Sequence, residues 1–325
     1  MTRSGAESAF RDGGPAADGA EQGARSWVET FIRDLVLGAP ENILHDRGGL
    51  AIFGPPLVGF ADGEDPLFRR FHTVVSPRHL MPREVLRSHS PEAAAGPVRV
   101  IVWVLPYTEA VRESNRAGEW PSSLYSQARN NAAALNELIC RRLAAALEER
   151  GQAAVAPIMT GAYDAFRDED HGLSSTWSER HVAHAAGLGR FGLNGGLITP
   201  AGMAVRIGSV VTDLDVEPSP PTAGGHLHPC LGADGAGCGR CIPRCPAGAI
   251  SSAGLDKEKC YARRNIVRER FLPLYQETLE LLAASVVKGG KRSRGHSLGC
   301  ALCQCGVPCE AGIPRTGTRN GSPRA

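Results

Sequence analysis

Long apolar runs are missing from this 325-residue chain. None approaches the roughly 20 residues that a membrane-spanning helix needs, so no span is expected. The opening stretch "MTRSGAESAFRDGGPAADGAEQGARS" lacks the apolar core of a secretory leader and reads instead as a disordered tail over 1–25. Strong charge of either sign is missing too. A net charge of +2 gives no general ground for binding DNA, which favours a strongly basic face. Also absent are a nucleophile–base pair, a P-loop and a Gly-x-Ser-x-Gly motif, which removes the usual sequence grounds for serine hydrolysis or P-loop phosphoryl transfer. What remains is the composition of an ordinary folded protein, 42% apolar and 22% charged, long enough for one large domain and a smaller one.

Cysteine is where the sequence is rich. Of ten cysteines, Cys140 stands alone in a helical pattern and nine fall between 230 and 309. Without an export signal the compartment is expected to be cytoplasmic and reducing, so clustered thiols point to metal rather than to disulfides. "CGRCIPRCPAGAI" places Cys238, Cys241, Cys245 and Pro246 as in the back end of a ferredoxin run, but the position three residues before Cys238 is Gly235. Cys230, eight residues before Cys238, is the first candidate for the missing thiolate. A second set, Cys260, Cys300, Cys303 and Cys309, follows, with Cys305 left over. In two-cluster ferredoxins the fourth cysteine of each run serves the other cluster. On that rule Cys230, Cys238, Cys241 and Cys309 hold one [4Fe–4S] cluster, and Cys245, Cys260, Cys300 and Cys303 hold the other. Two alternatives stay open: Cys305 in place of Cys309, and a zinc ion on Cys238, Cys241, Cys300 and Cys303.

The rest of the chain reads as α/β. "VRVIVWVLPY", 98–107, predicts a strand buried on both faces. "SQARNNAAALNELICRRLAAALEERG" predicts a helix with Leu135, Leu138, Ile139, Ala146 and Leu147 on its apolar stripe, stopped near Gly151. "AAVAPIM" predicts a second strand, paired in parallel with the first through a crossover. "HVAHAAGLG" reads as a short helix closed by glycine, and "AVRIGSVVTDLDV" as a strand. Gly187, Gly189 and Gly192 match the dinucleotide fingerprint in spacing only, because they follow a helix instead of opening one after a strand. Such dense glycine implies either tight turns or backbone approaching a large ligand. "EPSPPTAGGHLHP", 217–229, reads as a linker.

"STWSERHVAHAAGLGRFGLNGGLITPAGMAVRIGSVVTDL", "CGRCIPRCPAGAI", "DKEKC" and "CALCQCGVPCE" together resemble the epoxyqueuosine reductase family and its relatives, which group with reductive dehalogenases as cobalamin-dependent, two-cluster reductases. "VIVWVLPY" and "WPSSLYSQARNN" extend the resemblance over roughly 95–313; the region before 95 looks like the relatives rather than the tRNA-modifying enzyme. The resemblance implies a corrinoid-binding-like α/β domain over 26–220, a small ferredoxin-like dicluster domain over 221–313 and a basic tail over 314–325. It implies electrons passing from a ferredoxin- or flavodoxin-type donor through two [4Fe–4S] clusters to cobalamin. The substrate would be a small molecule or a modified nucleoside. Tyr125, Glu179, Arg180, Gly189, Gly192, Asn194 and Arg206 are the candidate cofactor-binding residues, and no catalytic residue is assigned. Two positions depart from the tRNA-modifying members: Leu173 stands where they carry a proton-donating aspartate, and Leu193 where they carry a lysine. Asp168, Asp170 and His171 are nearby substitutes for the donor. "DHG" at 170–172 lacks the rest of the histidine-ligating cobalamin motif, and the family binds cobalamin without a protein ligand.

Bland readings stand beside these. Glu179 and Arg180 would also serve as a bracing ion pair, Tyr125 as packing, Arg206 as the partner of a carboxylate, and His181 with His184 as one helical face. "KGGKRSRGH", 288–296, would be a solvated loop or a docking patch for an acidic donor. The same cysteines would also suit an electron-transfer protein with no substrate chemistry, or a zinc-stabilised binding module.

Overall fold

β-branched and aromatic residues dominate "RVIVWVLP", and this stretch forms the central strand of a computed structural model that describes residues 16–233, 237–271 and 299–315. In chain order the elements are α1 (Ala16–Gly38), the short pair β1 (Ile43–Leu44) and β2 (Leu50–Ala51), β3 (Leu57–Asp62), α2 (Pro66–Val74), α3 (Pro82–His89), β4 (Arg99–Pro106) and α4 (Glu109–Glu113). Then come α5 (Ser123–Glu148), β5 (Ala154–Val155), β6 (Ala165–Asp168), β7 (Gly172–Ser175), α6 (Glu179–Ala185), β8 (Arg190–Phe191), β9 (Leu197–Ile198) and β10 (Val205–Thr212). The cysteine-rich part adds β11 (Ile250–Ser251), β12 (Gly254–Leu255) and α7 (Lys257–Phe271).

Side chains alternate across a strand, and β4 shows why it has no polar face. Val100, Val102 and Val104 pack with Phe68, Phe71, Leu86 and Val182, from the α2, α3 and α6 side. Ile101, Trp103 and Leu105 pack with Val28, Ile32, Leu135 and Leu143, from α1 and α5. The sheet is therefore a middle layer with helices on both sides, an α/β architecture. Its order is β3-β4-β10-β5, and every neighbouring pair is antiparallel. This corrects the expected parallel pair. β10 matches β4 residue for residue, from Val205 against Pro106 to Thr212 against Arg99, and so separates it from the two-residue β5. β4 and β5 run in the same direction but never touch as a ladder.

α5 begins at Ser122, whose hydroxyl accepts from the Tyr125 N–H at 2.9 Å and satisfies an orphan donor of the first turn. Its fully buried stripe is Ala128, Ala132, Leu135, Ile139, Leu143 and Leu147, at steps of three and four. Leu138 and Ala146, expected on this stripe, lie half-buried at its flanks. Cys140 is fully buried in the same core. Trp103 lies over Gly208 and donates from Nε1 to Asn136 Oδ1 at 2.8 Å. A Cβ at Gly208 would sit 2.5 Å from the indole, so only glycine lets the ring cross the strand.

Residues 16–25, assigned by composition to a tail, belong to α1. The stretch 217–229 is strapped down instead of hanging free. Phe60 N–H donates to Ser219 Oγ at 2.9 Å, Ser219 N–H to the Phe60 carbonyl at 2.7 Å, and Phe191 N–H to the His226 carbonyl at 2.9 Å. Among the described residues no helix is long and apolar enough to cross a membrane. The basic stretch 288–296 lies outside the described residues.

Candidate metal and cofactor site

The glycine-dense segment folds into a tight hairpin against which the cysteine loops pack. At Gly189 a Cβ would meet the Ile198 carbonyl at 2.4 Å, and at Gly192 it would meet Met203 Cε at 2.6 Å. The room that these glycines leave is filled by the chain itself. Asn194 is similarly occupied: Nδ2 donates to the Cys303 carbonyl at 2.9 Å, and Oδ1 accepts from the Gly196 N–H at 3.0 Å. The C-terminal loop then closes over the hairpin. Met203 N–H donates to the Cys309 carbonyl at 2.8 Å, and at Gly202 a Cβ would lie 2.2 Å from the Glu310 carbonyl.

This packing brings eight of the nine clustered cysteines into two groups. The thiol of Cys309 feels the charges of Cys230, Cys241 and Cys238, and Cys241 feels Cys230, Cys238 and, last, Cys245. These four cysteines line one small pocket, walled also by Leu193, Ile198 and Met203. Cys303 feels Cys260, Cys300 and Cys245, and both Cys260 and Cys300 feel Cys245. Cys303 also feels Cys241, so the two groups adjoin. Burial pushes the Cys241 thiol up to about 11 and that of Cys309 up to about 12, and raises Cys303 further. Backbone donors reach two of the sulfurs, Leu193 N–H to Cys230 at 3.3 Å and Ala249 N–H to Cys245 at 3.4 Å. Between Cys300 and Cys303, Ala301 takes a left-handed conformation at φ 49°, the only non-glycine with positive φ among the described residues. Such a residue is held there by its surroundings at a cost of about 1–3 kcal/mol.

Cys305 stands apart. It is fully buried in the α1/α5 core, and the Asn115 amide donates to its sulfur at 3.8 Å. Among the described residues no three His, Cys, Asp or Glu side chains converge tightly enough to hold a single metal ion. His181 and His184 share a face of α6 and pack against aromatic rings. His181 lies 4.7 Å from the Phe191 ring, and its Nδ1 meets Ser178 Oγ at 2.7 Å.

A second set of polar groups lies beside the Cys260 group. Glu179, Arg206 and Arg264 are half-buried, and Arg180 is exposed. Glu179 Oε2 accepts from Ser209 at 2.8 Å, while Oε1 is buried without a partner. Burial lifts this carboxyl to about 7, against the opposing pull of Ser209 and Arg206. Arg206 faces Arg129, Tyr107, Glu179 and Tyr163. Arg180 donates to the Gly195 carbonyl and faces Cys260. Tyr125 is fully buried with no partner for its hydroxyl, its ring 5.1 Å from that of Tyr107. Tyr107, Arg129, Tyr163 and Arg264 were missed in sequence. Only Arg264 left a signal, lying four residues after Cys260 on what would be one helical face.

The acids offered as substitutes at Leu173 do other work. Asp168 Oδ1 pairs with His171 Nδ1 at 2.7 Å, and its Oδ2 accepts from Ser76 at 3.0 Å. His171 holds the Asp168 carboxyl down at about 2, too acidic to give up a proton near neutrality. The other ring nitrogen of His171 bonds the Thr73 carbonyl at 2.6 Å. Arg167 and Lys257 then tie this β6–β7 hairpin to α7, through Glu258 at 2.5 Å and the His171 carbonyl at 2.9 Å.

No family model matches the chain. Among curated proteins, epoxyqueuosine reductase of Bacillus cereus is 37% identical over 87 residues, and that of Bacillus anthracis 36% over 87. Each match covers 26% of this chain and 20% of the relative, so the chain spans about a fifth of their length. That segment is similar to the corresponding part of epoxyqueuosine reductase. Among solved structures, an epoxyqueuosine reductase aligns over 90% of this chain and 67% of its own, at 16% identity and a TM-score of 0.46. One bound to an epoxyqueuosine-modified tRNA-Tyr stem loop covers the same shares, at 16% identity and 0.43. A B12-dependent reductive dehalogenase aligns over 64% of this chain and 27% of its own, at 18% identity and 0.42.

Proposed function

We propose that this chain is an iron–sulfur reductase carrying two [4Fe–4S] clusters and a cobalamin. The observation that carries the reading is the division of eight cysteines into two groups of four, each drawn from both 230–260 and 300–309. Cys230, Cys238, Cys241 and Cys309 would hold one cluster, and Cys245, Cys260, Cys300 and Cys303 the other. A lone zinc on Cys238, Cys241, Cys300 and Cys303 would draw on both groups and leave Cys230, Cys245, Cys260 and Cys309 without a role. The division of the chain into an α/β domain over 26–220 and a ferredoxin-like domain over 221–313 belongs to the same proposal.

The polar groups around Glu179 suit a polar cofactor. Buried groups lacking partners, Tyr125 Oη and Glu179 Oε1, want hydrogen bonds that amide-bearing ligands provide. Tyr125, Glu179, Arg180 and Arg206 would hold the corrinoid there. Gly189, Gly192 and Asn194 would shape its wall, since their own space and polar atoms are used by the protein. Bound clusters supply one-electron transfer, and a bound corrinoid supplies the cobalt-centred reduction. The chain supplies the rest. Glu179, poised near 7, holds or releases a proton at neutral pH. Ser209 holds that carboxylate in place through Oε2, with the Arg206 charge favouring its ionised form. Electrons would come from a ferredoxin- or flavodoxin-type donor in a reducing, cytoplasmic setting. The substrate would be a small molecule or a modified nucleoside; Leu173 and Leu193 argue against epoxyqueuosine itself.

Anaerobic reconstitution with cobalamin followed by gel filtration tests the reading. A retained corrinoid with a cobalt signal in electron paramagnetic resonance, weakened in Glu179→Ala and Arg206→Ala, is the expected result. Retained clusters without corrinoid would leave an electron-transfer protein that performs no chemistry on a substrate.

A further inference from the structure

The two cysteine groups differ in the charges around them. Cys260 faces Arg264 and Arg180, and Cys300 faces Arg263, which also donates a hydrogen bond to it. Arg263 and Arg264 lie three and four residues after Cys260 on α7, so helical geometry brings them to its side. Arg129 closes the same corner: a Cβ at Gly299, next to Cys300, would lie 2.8 Å from its Nε. The guanidinium groups are fixed from behind. Arg263 stacks on the Trp120 ring at 3.9 Å and donates to the Glu119 carbonyl at 2.5 Å, and Arg180 is anchored on the Gly195 carbonyl. Around the other group the charges felt by Cys241 and Cys309 are those of cysteines, and the one arginine lining their pocket, Arg240, is exposed.

We propose that Arg180, Arg263 and Arg264 set the cluster on Cys245, Cys260, Cys300 and Cys303 at a higher reduction potential than its neighbour, making it the electron's second stop. This rests on the two-cluster reading above. Reducing a cluster adds one negative charge, which fixed cations stabilise, and net charge and hydrogen bonds to sulfur are among the determinants of such potentials. One electron lost by the cluster on Cys230, Cys238, Cys241 and Cys309 is one gained by the other. The initial electron comes from a one-electron donor, dithionite in the assay. Cys303 feels Cys241, so the two groups are neighbours, and Arg129, beside Gly299, links the arginine-flanked one to Arg206 and Glu179.

The test is a redox titration of the anaerobically purified full chain, followed by electron paramagnetic resonance, in the wild type and in Arg264→Gln, Arg180→Gln and Arg264→Lys. Each glutamine variant should lower one midpoint by at least a tenfold shift in its reduction equilibrium, about 59 mV for one electron. The other midpoint should move far less. Arg264→Lys should restore most of the shift, and the affected signal should be the one that Cys260→Ser alters. Equal shifts at both clusters, or none, would overturn the proposal while leaving the cluster reading intact. Loss of iron from Arg264→Gln and Arg264→Lys alike would overturn it in favour of a packing role. A wild-type chain that holds no cluster would remove the reading beneath it.

Discussion

Replacing Glu310 with alanine should loosen the C-terminal cysteine loop. Its carboxylate, only 6% exposed, accepts from Arg116 Nε at 3.1 Å through both oxygens and lies 3.3 Å from Arg112 Nε. It also accepts from the Gly306 N–H at 2.6 Å, so a single acid spans α4 and the loop between Cys305 and Cys309. Removing one partner of a buried ion pair costs about 3–5 kcal/mol, because the other charge is left uncompensated. Arg112, at 13% accessibility, is the more enclosed, but both it and Arg116 keep Glu109 as a partner, and Arg116 at 37% can also turn to water. The expected loss therefore falls near the lower end, about 3 kcal/mol. Urea unfolding of the anaerobic protein gives the change directly through the midpoint and slope. Iron content should fall in parallel, since Cys309 precedes the lost residue. A destabilisation under about 1 kcal/mol, the range of an exposed pair, would refute the reasoning.

Acid should destabilise the fold through two buried histidines. His79 accepts from the Ser178 N–H on Nε2 at 3.2 Å, and its Nδ1 meets the Leu80 carbonyl at 3.0 Å, which fixes the neutral ring. Burial holds His79 at about 4 and, with Arg180, His184 and Lys257 nearby, His181 at about 3. Both lie below the unfolded value of about 6.5, so the unfolded chain binds more protons and stability falls as pH drops below that value. From pH 7 to 5.5 the loss should be about 2–3 kcal/mol for the pair. Glu179, raised to about 7, and His171, raised by Asp168, act in the opposite direction over this range, and His184, lowered by burial, adds to the loss, so a Glu179→Gln, His171→Gln background leaves the lowered histidines. A flat profile in that background would rule the idea out. Gly208→Ala places a methyl 2.4 Å from Asn136 Oδ1 and should cost at least about 1–3 kcal/mol by overpacking, read as a lower unfolding midpoint. An unchanged midpoint would mean that Trp103 yields without penalty.

How much of this was legible in the sequence depends on distance along the chain. β4, α5 and β10 announce themselves because each carries its own period: continuous apolar residues, steps of three and four, and a second β-branched run. Sheet order does not, because β10 finds β4 across about a hundred residues and only its full-length register decides the pairing. The glycine segment was ambiguous for a physical reason. Glycine signals close approach but not what approaches, and at Gly189, Gly192 and Gly202 the visitor is the protein itself. Cysteine spacing marks the candidate metal site. The gathering of arginines around it is not marked, since Arg129, Arg180 and Arg264 lie on three different helices, although Arg180 stood out as a cofactor candidate and Arg264 falls one turn after Cys260. Asp168 and His171 misled as acids because their mutual pairing appears only once the β6–β7 hairpin folds back on α2.

The count of sulfur-bound iron tests the account most directly. Chain purified without oxygen, assayed for iron, acid-labile sulfide and zinc, should carry about eight irons and eight sulfides, four of each per [4Fe–4S] cluster, and no stoichiometric zinc. About one zinc with little iron, or iron near four that does not rise on reconstitution, would contradict it.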